Sequence, residues 1–478
     1  MQTPVFRQEA LDRRLDEYVD LIVAALGHAD RVEPFTLYLA GLLGEGERKS
    51  VEPMAARLAP ARVNPEHQSL LHFVGESPWS DVALLRAVRD YALPSITGSA
   101  GIKAWIADDT GIPKKGIHSV GVSRQYCGVL GKQENCQVAV TLSVANEVAS
   151  LPVAYRLYLP ESWVADRDRR RETHIPEDVV FLTKPEISLE QIRTALADGL
   201  EPTVVLADAG YGDNTNYRDG LTALKLTYVV GIKPTTTVWP EGTGPLLPKR
   251  YSGRGARPHR LRRDLSHQPI SVRGLALGLP SKAFRKIQWR QGTAEALKSR
   301  FCALRVRPAH GDLARDVPRP VEWLLIEWPD GEAEPTKYFF STLPATTSLR
   351  VLVQVAKMRW RIERDYEELK GEIGLDHFEG RSWRGFHHHG TMCIAAYAFL
   401  AAERGRFPPG RSFSAARLKA PALPRGFRPR GSPDSARATQ SDIHRHNPPR
   451  ARRSTRRSTS TVPHLSPRGG EAKPRPKK

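Results

Sequence analysis

Apolar residues recur at helical spacing through residues 1–95. Residues 11–26 have an amphipathic period, 37–43 are a short apolar run, and 77–88, with Pro78 near the start, predict a further helix. The pattern changes near Gly101. Residues 102–107 are a short apolar run ending in Asp108 and Asp109, and 136–144 and 151–159 are strand candidates rich in Val, Leu and Tyr. A helical segment follows around 189–197. Residues 203–207 then predict a short buried strand ending in Asp208, 215–224 a helix, and 228–232 a strand. The order β-β-β-α-β-α-β suits a mixed sheet covered by helices, an α/β fold.

Residues 234–344 break this rhythm. Up to Arg263 the chain is rich in Gly, Pro and Arg and predicts loops; strand-like pieces follow at 285–289, 301–307, 323–328 and 337–341. A long helix is expected over 348–373 and a second, apolar one over 390–402. The charged stretch 161–172, with Trp163 and Asp168, predicts a loop outside the core. The expected division is a helical N-terminal domain at 1–95, the first part of a catalytic core at 96–233, a β-rich insertion at 234–344, core helices at 345–404 and a tail at 405–478.

Charge alters this picture mainly in the tail. The 478 residues, 40% of them hydrophobic, can bury a large core, and the formal net charge is +20. Residues 405–478 hold 19 Lys/Arg against 3 Asp/Glu and 12 of the 38 prolines; the remaining chain holds 53 against 49. Basicity therefore belongs to the tail and does not make the body a nucleic-acid binder. A Pro/Arg/Ser tail with few large apolar residues cannot offset its ordering entropy and predicts disorder. It either adds salt-sensitive DNA affinity or is dispensable.

Cys127, Cys136, Cys302 and Cys393 form neither a disulfide framework nor a CxxC metal pattern, so a reduced intracellular protein is expected. The N-terminus lacks the charged and apolar regions of a secretory signal, and no stretch approaches about 18 uncharged apolar residues. The cytoplasm, with no membrane partner, is the expected location.

The candidate chemistry lies in carboxylates. Residues just past strand ends line the ligand crevice of an open α/β sheet, which puts Asp108, Asp109 and Asp208 there. Gathered carboxylates repel unless a cation neutralises them, and hard oxygen donors suit Mg²⁺ or Mn²⁺ rather than zinc. Two such ions about 4 Å apart can activate a nucleophile and stabilise the leaving oxygen in phosphoryl transfer. Carboxylates in surface turns would read the same way. On the long helix, Arg359, Glu363 and Lys370 share a polar stripe beside an apolar seam of Ile362, Tyr366, Leu369 and Ile373. Glu363 can face a metal from there while its neighbours reach phosphates. Ordinary surface charges fit equally, and Glu367 and Glu368 are near, so helix geometry alone does not select Glu363.

Three blocks carry a family resemblance: IADDTGIPKKGIHSVGVSRQYCGVLGKQENCQVAV at 106–140, VVLADAGYGD at 204–213 and MRWRIERDYEELKGEIGLDHFEGRSW at 358–383. The chain resembles DDE transposases of the IS4-like superfamily, most closely the IS701 group, over most of residues 35–400. The resemblance implies an RNase H-like core with a β-rich insertion between the second aspartate and the glutamate. The superfamily signature of Tyr, Arg, Glu and Lys lands on Arg359, Glu363 and Lys370, with Ala356 in the Tyr position. It favours Glu363 as the third ligand and Asp208 as the second. For the first, Asp108 and Asp109 are adjacent; an Asp-x-Thr pattern completed by Thr110 leans to Asp108.

The resemblance further implies two Mg²⁺ ions, with Mn²⁺ able to substitute, cleavage of double-stranded DNA at the terminal inverted repeats, and transfer of the freed 3′-OH into target DNA. Holding two ends together implies a homodimer. Arg359 and Lys370 would contact phosphates, and Lys114, Lys115 and Arg124, with His118, would lie in a DNA-facing loop. Trp289, Gly292 and Thr293 resemble part of the related insertion, where they would organise DNA or shape a turn. His387, His388 and His389 are poorly spaced for chelation on a helix; a helix-start or DNA-facing role is expected. A catalytically silent DNA-binding descendant and a metal-dependent nuclease without strand transfer are the competing readings.

Overall fold

The computed structural model describes residues 4–98, 100–292 and 295–407. The expected tail from residue 408 onward, and Thr293, lie outside the described residues. The N-terminal region is helical: α1 (Pro4–Val23), α2 (Val32–Leu43), α3 (Val51–Leu58), α4 (Val63–Gly75) and α5 (Asp81–Thr97). Ser80 starts α5 by accepting a hydrogen bond from the Ala83 amide at 3.1 Å, so the helix begins beyond Pro78.

A mixed α/β sheet region follows. Its first strands are β1 (Ala104–Pro113), β2 (Ser123–Cys127), β3 (Lys132–Ala145) and β4 (Ser150–Leu157). Then come the short α6 (Glu161–Ala165) and α7 (Arg167–Glu172), α8 (Lys184–Ala197), β5 (Val204–Ala207), the single turn α9 (Ala209–Gly212), α10 (Thr215–Ala223) and β6 (Tyr228–Ile232). The stretch 161–172 is thus two helices and not a loop. Asp166 caps α7, and Trp163, buried under the stacked Arg169, donates from its indole to Val122 O at 2.8 Å.

β1 runs antiparallel to β3 and parallel to β5, which is parallel to β6; β4 and β2 both pair with β3. The central strands are buried on both faces, which is why β5 and β6 read as continuous apolar runs. Residues 234–344 contribute β7 (Thr237–Trp239), β8 (Ile270–Ser271), α11 (Val272–Leu277), β9 (Arg285–Gln291), β10 (Ala296–Pro308), β11 (Glu322–Trp328) and β12 (Lys337–Ser341). β12 pairs with β6, so these strands extend the same sheet through β11, β10 and β7.

Three helices close the chain: α12 (Leu349–Lys357), α13 (Trp360–Gly371) and α14 (Trp383–Arg406). The single long helix expected over 348–373 is broken. Around Met358 and Arg359 three amides bond three residues back: Met358 N to Val355 O, Arg361 N to Met358 O and Ile362 N to Arg359 O. Glu363 is seven residues beyond buried Ala356, two turns on, so an unbroken helix would aim it at the sheet. The tightened joint turns Ile362 inward instead and leaves Glu363 exposed.

The second apolar helix starts at Trp383 rather than Gly390, capped by Ser382, and continues to Arg406, past the expected 402. Its first turns contain His387, His388 and His389, all buried, so a DNA-facing role is overturned. Each is held by backbone. His387 Nε2 accepts from the Leu157 amide, His388 lies between Val74 O and Trp79 O and can donate its single N–H to one of them, and His389 meets Gly374 O and the Tyr38 hydroxyl. Burial lowers all three pKa values, which keeps the rings neutral inside this spine between the N-terminal helices and β4.

The α9 turn lies directly on β6. A Cβ at Gly231 would stand 2.8 Å from Ala209 N and 3.0 Å from Asp208 C, and one at Gly212 would stand 2.1 Å from Gly231 O. We expect G231A to destabilise the protein by about 1–3 kcal/mol in urea unfolding. G116A, which meets nothing within 4 Å, should leave the midpoint unchanged.

Candidate active site

The parallel pairing of β1 and β5 runs from Ala104 opposite Val204 to Ala107 opposite Ala207. There the strands part. β5 stops, and Asp208 starts α9, its Oδ1 accepting from the amides of Gly210 (2.8 Å) and Tyr211 (3.3 Å). β1 does not end at the aspartates as the apolar run suggested; it continues along β3 to Pro113. Asp108 and Asp208 therefore occupy matched positions on neighbouring parallel strands, at the place where one strand leaves the sheet.

Strand alternation sends Asp108 and Asp109 to opposite faces. Asp108 shares its face with Ala104 and Ile106, which pack with Ala356 and Ile362 of the closing helices. Its Oδ2 takes a 2.6 Å hydrogen bond from Arg359 Nη1. Asp109 shares the other face with Trp105 and Ala107. It is paired there with Lys184 at 3.0 Å, and the Tyr211 hydroxyl donates to it at 3.2 Å.

Arg359 stands at the joint between α12 and α13 and bridges two carboxylates. Its Nη2 meets Glu363 Oε1 at 3.2 Å while Nη1 holds Asp108. Burial works against its charge, but Asp108, Asp208 and Glu363 together raise its pKa. Asp108 is pushed up to about 7, chiefly by burial; Arg359 opposes this, while Asp208 and Asp109 add repulsion. The donors suit a hard divalent ion in kind, being carboxylates without thiolate or imidazole. They do not form a cage as arranged. Among the described residues no group of three or more Asp, Glu, His or Cys side chains is placed to hold a metal. Asp108 and Glu363 meet through a guanidinium instead of through each other.

The remaining sequence candidates are more dispersed. Lys370 Nζ donates to Gly111 O at 2.8 Å and Lys114 Nζ to Phe378 O at 2.5 Å, and burial lowers both pKa values. Lys115, His118 and Arg124 are exposed. Trp289 lies under Lys357, 4.4 Å from its ring centre, and edge-on to Phe301. Glu367 is exposed, and Glu368 pairs with Arg364 and Arg404 away from Asp108.

Sequence reasoning missed several groups that fix this geometry. The Tyr366 hydroxyl is 2.6 Å from Thr141 Oγ1, and Thr141 is the strand partner of Asp108. Burial, and after it the Asp108 charge, raises the Tyr366 pKa. Asp365, buried on the opposite side of α13 from Glu363, accepts from Ser150 Oγ at 2.5 Å and Tyr397 OH at 2.8 Å. Tyr211 and Tyr366 lie inside the motif blocks, so their presence was readable there; Lys184 carried no such signal.

A family model described as DDE superfamily endonuclease matches residues 22–296. That span contains Asp108, Asp109 and Asp208 and ends before α13. The "Probable transposase for insertion sequence element IS701" of Microchaete diplosiphon is 31% identical over 221 residues, 46% of this chain and 53% of the relative. The chain thus spans about half the length of that relative.

The raised Asp108 pKa has a sign consequence. Between its unfolded value near 4 and its folded value of about 7, the folded state holds a proton that the unfolded chain has lost, so stability falls as pH rises through this window. D108N should therefore stabilise the protein at pH 8 by on the order of 1–3 kcal/mol, with the gain shrinking toward pH 4. Urea unfolding across that range measures it; an equal gain at every pH would show that Asp108 does not titrate in this way.

Proposed function

This chain belongs to the DDE superfamily endonuclease family, and on that premise we propose that it is a DNA transposase of the IS701-like group. Its reaction is cleavage at the ends of an insertion sequence, followed by attack of the freed 3′-OH on target DNA. The sheet order β4-β3-β1-β5-β6, antiparallel on one side of β1 and parallel on the other, supports an RNase H-like core. One observation carries the site reading. Asp108 and Asp208 follow register-matched residues on adjacent parallel strands, and one arginine ties Asp108 to Glu363 on the helix above.

In this reading Asp108, Asp208 and Glu363 are the metal ligands. Two Mg²⁺ ions, replaceable by Mn²⁺, would supply the Lewis acidity that activates the attacking oxygen and stabilises the leaving one. The protein does the positioning. Asp109 is held on the far face by Lys184 and Tyr211 and keeps β1 in place there. Tyr366 and Thr141 set the distance of α13 from the strand bearing Asp108. Lys115 and Arg124 are offered to the DNA backbone, where charge-assisted donors position phosphates without reading sequence, and Arg359, Lys370 and Lys114 would join them on leaving the protein oxygens that hold them. The substrates are double-stranded terminal repeats and target DNA, and a homodimer would hold two ends. Among the described residues no helix is long and apolar enough to cross a membrane.

A second reading, a silent DNA-binding protein, is favoured by the lack of a converged three-carboxylate group among the described residues. Duplexes carrying the repeats that flank the encoding DNA, incubated with Mg²⁺ and a target plasmid, separate the readings. We expect joined products from the wild type. D208N and E363Q should lose cleavage by ~100-fold or more while retaining DNA binding. D109N should lose less. Binding without cleavage by the wild type supports the silent reading, and cleavage without joining supports a nuclease.

A further inference from the structure

Arg359 occupies an unusual place for a DNA contact. Both terminal nitrogens are committed inward, Nη1 to Asp108 at 2.6 Å and Nη2 to Glu363 at 3.2 Å. Its side chain still retains 26% of its exposure, so it lies at the mouth of the crevice rather than beneath it. The other cations around the joint are engaged elsewhere: Lys184 with Asp109, Lys357 with Glu327 at 2.5 Å, and Lys370 with the Gly111 carbonyl. Buried Asp108 thus depends on this guanidinium for neutralisation, and the more exposed Glu363 shares it. A divalent ion would have to take the same oxygens.

We infer that Arg359 is an exchangeable counter-ion, which screens Asp108 and Glu363 until a DNA phosphate draws it away, so that DNA engagement and metal loading are coupled through one side chain. This rests on the reading of Asp108 and Glu363 as metal ligands. A guanidinium suits both states, because its planar fork binds carboxylate and phosphate oxygens with the same geometry. Neither state then leaves a buried charge unpaired: the arginine neutralises the carboxylates without DNA, and the metal neutralises them once the arginine has turned to phosphate. Coupling of this kind is reciprocal, so metal must tighten DNA binding by the factor by which DNA tightens metal binding.

Mn²⁺ binding to the full chain, followed by calorimetry and by the electron paramagnetic resonance of free Mn²⁺, tests this without reference to turnover. Wild type and R359Q are titrated with and without a duplex carrying the flanking repeat. The wild type should bind Mn²⁺ weakly alone and at least about fivefold more tightly with DNA. R359Q should bind Mn²⁺ more tightly than wild type without DNA and gain little from DNA. R359K, a point charge without the fork, should fall between them. The exchange is overturned if R359Q binds Mn²⁺ no better than wild type in the absence of DNA, or if the DNA-induced tightening survives the substitution. Matching thermal unfolding of the two proteins excludes a folding defect. If D108N and E363Q placed in the R359Q background leave Mn²⁺ binding untouched, the ligand assignment itself fails and takes the exchange with it.

Discussion

A carboxylate on a buried central strand is costly, and the pair of Asp108 with Arg359 is what makes the site tenable. Asp108 cannot escape to solvent, because β1 is locked between β3 and β5 on either side of it. It stays near the point where ionisation and protonation are balanced. Everything above the sheet answers to that residue. The joint between α12 and α13 puts a guanidinium over it, and the same joint aims Glu363 toward the crevice instead of the sheet.

The helix carrying Glu363 is correspondingly overdetermined. Arg359 ties it to β1, Tyr366 to β3, Asp365 to β4 and α14, and Lys370 to the carbonyl of Gly111. These contacts leave different sides of α13, so the helix can neither roll nor slide without breaking several of them. Constraint of this kind fixes where the Glu363 backbone stands relative to the strand that bears Asp108. The low-lying α9 turn does the same for Asp208. Two glycines let backbone approach backbone, and the N-cap hydrogen bonds orient the carboxylate.

The elements bearing the aspartates were legible because burial on both faces writes a continuous apolar run, as at 204–207 and 228–232. The last strand, Lys337–Ser341, was bounded correctly from its Tyr-Phe-Phe run. Two kinds of information were not legible. The tightened turn between Val355 and Ile362 leaves no compositional trace, because Met, Arg and Trp are all compatible with an α-helix. The destination of a polar side chain was equally hidden. Lys370 and Lys114 were expected to meet DNA but are bonded to carbonyls, and three histidines given a helix-start or DNA-facing role are buried by α14 against backbone groups. The choice between Asp108 and Asp109 fell in between. The Asp-x-Thr pattern leaned to Asp108, but only the location of Lys184 and Arg359 tells which face holds which partner.

The strands between β6 and α12 have a mechanical place in this arrangement. Because β12 extends the sheet from β6, the β9–β11 strands come to lie beside the α12–α13 joint. Glu327 of β11 holds Lys357, the Trp289 ring on β9 lies beneath that same ammonium, and Arg290 stacks on Trp360 at 3.7 Å. These contacts flank Arg359 on both sides in sequence. The joint is therefore fixed by residues brought from the far side of the sheet, and its tightened geometry does not depend on the local preference of four residues. An insertion of this length also lets the chain return to the edge of β6 with the correct direction to begin α12. The carboxylate on β1 sets the demand for a cation, and the added strands hold the backbone from which that cation is supplied.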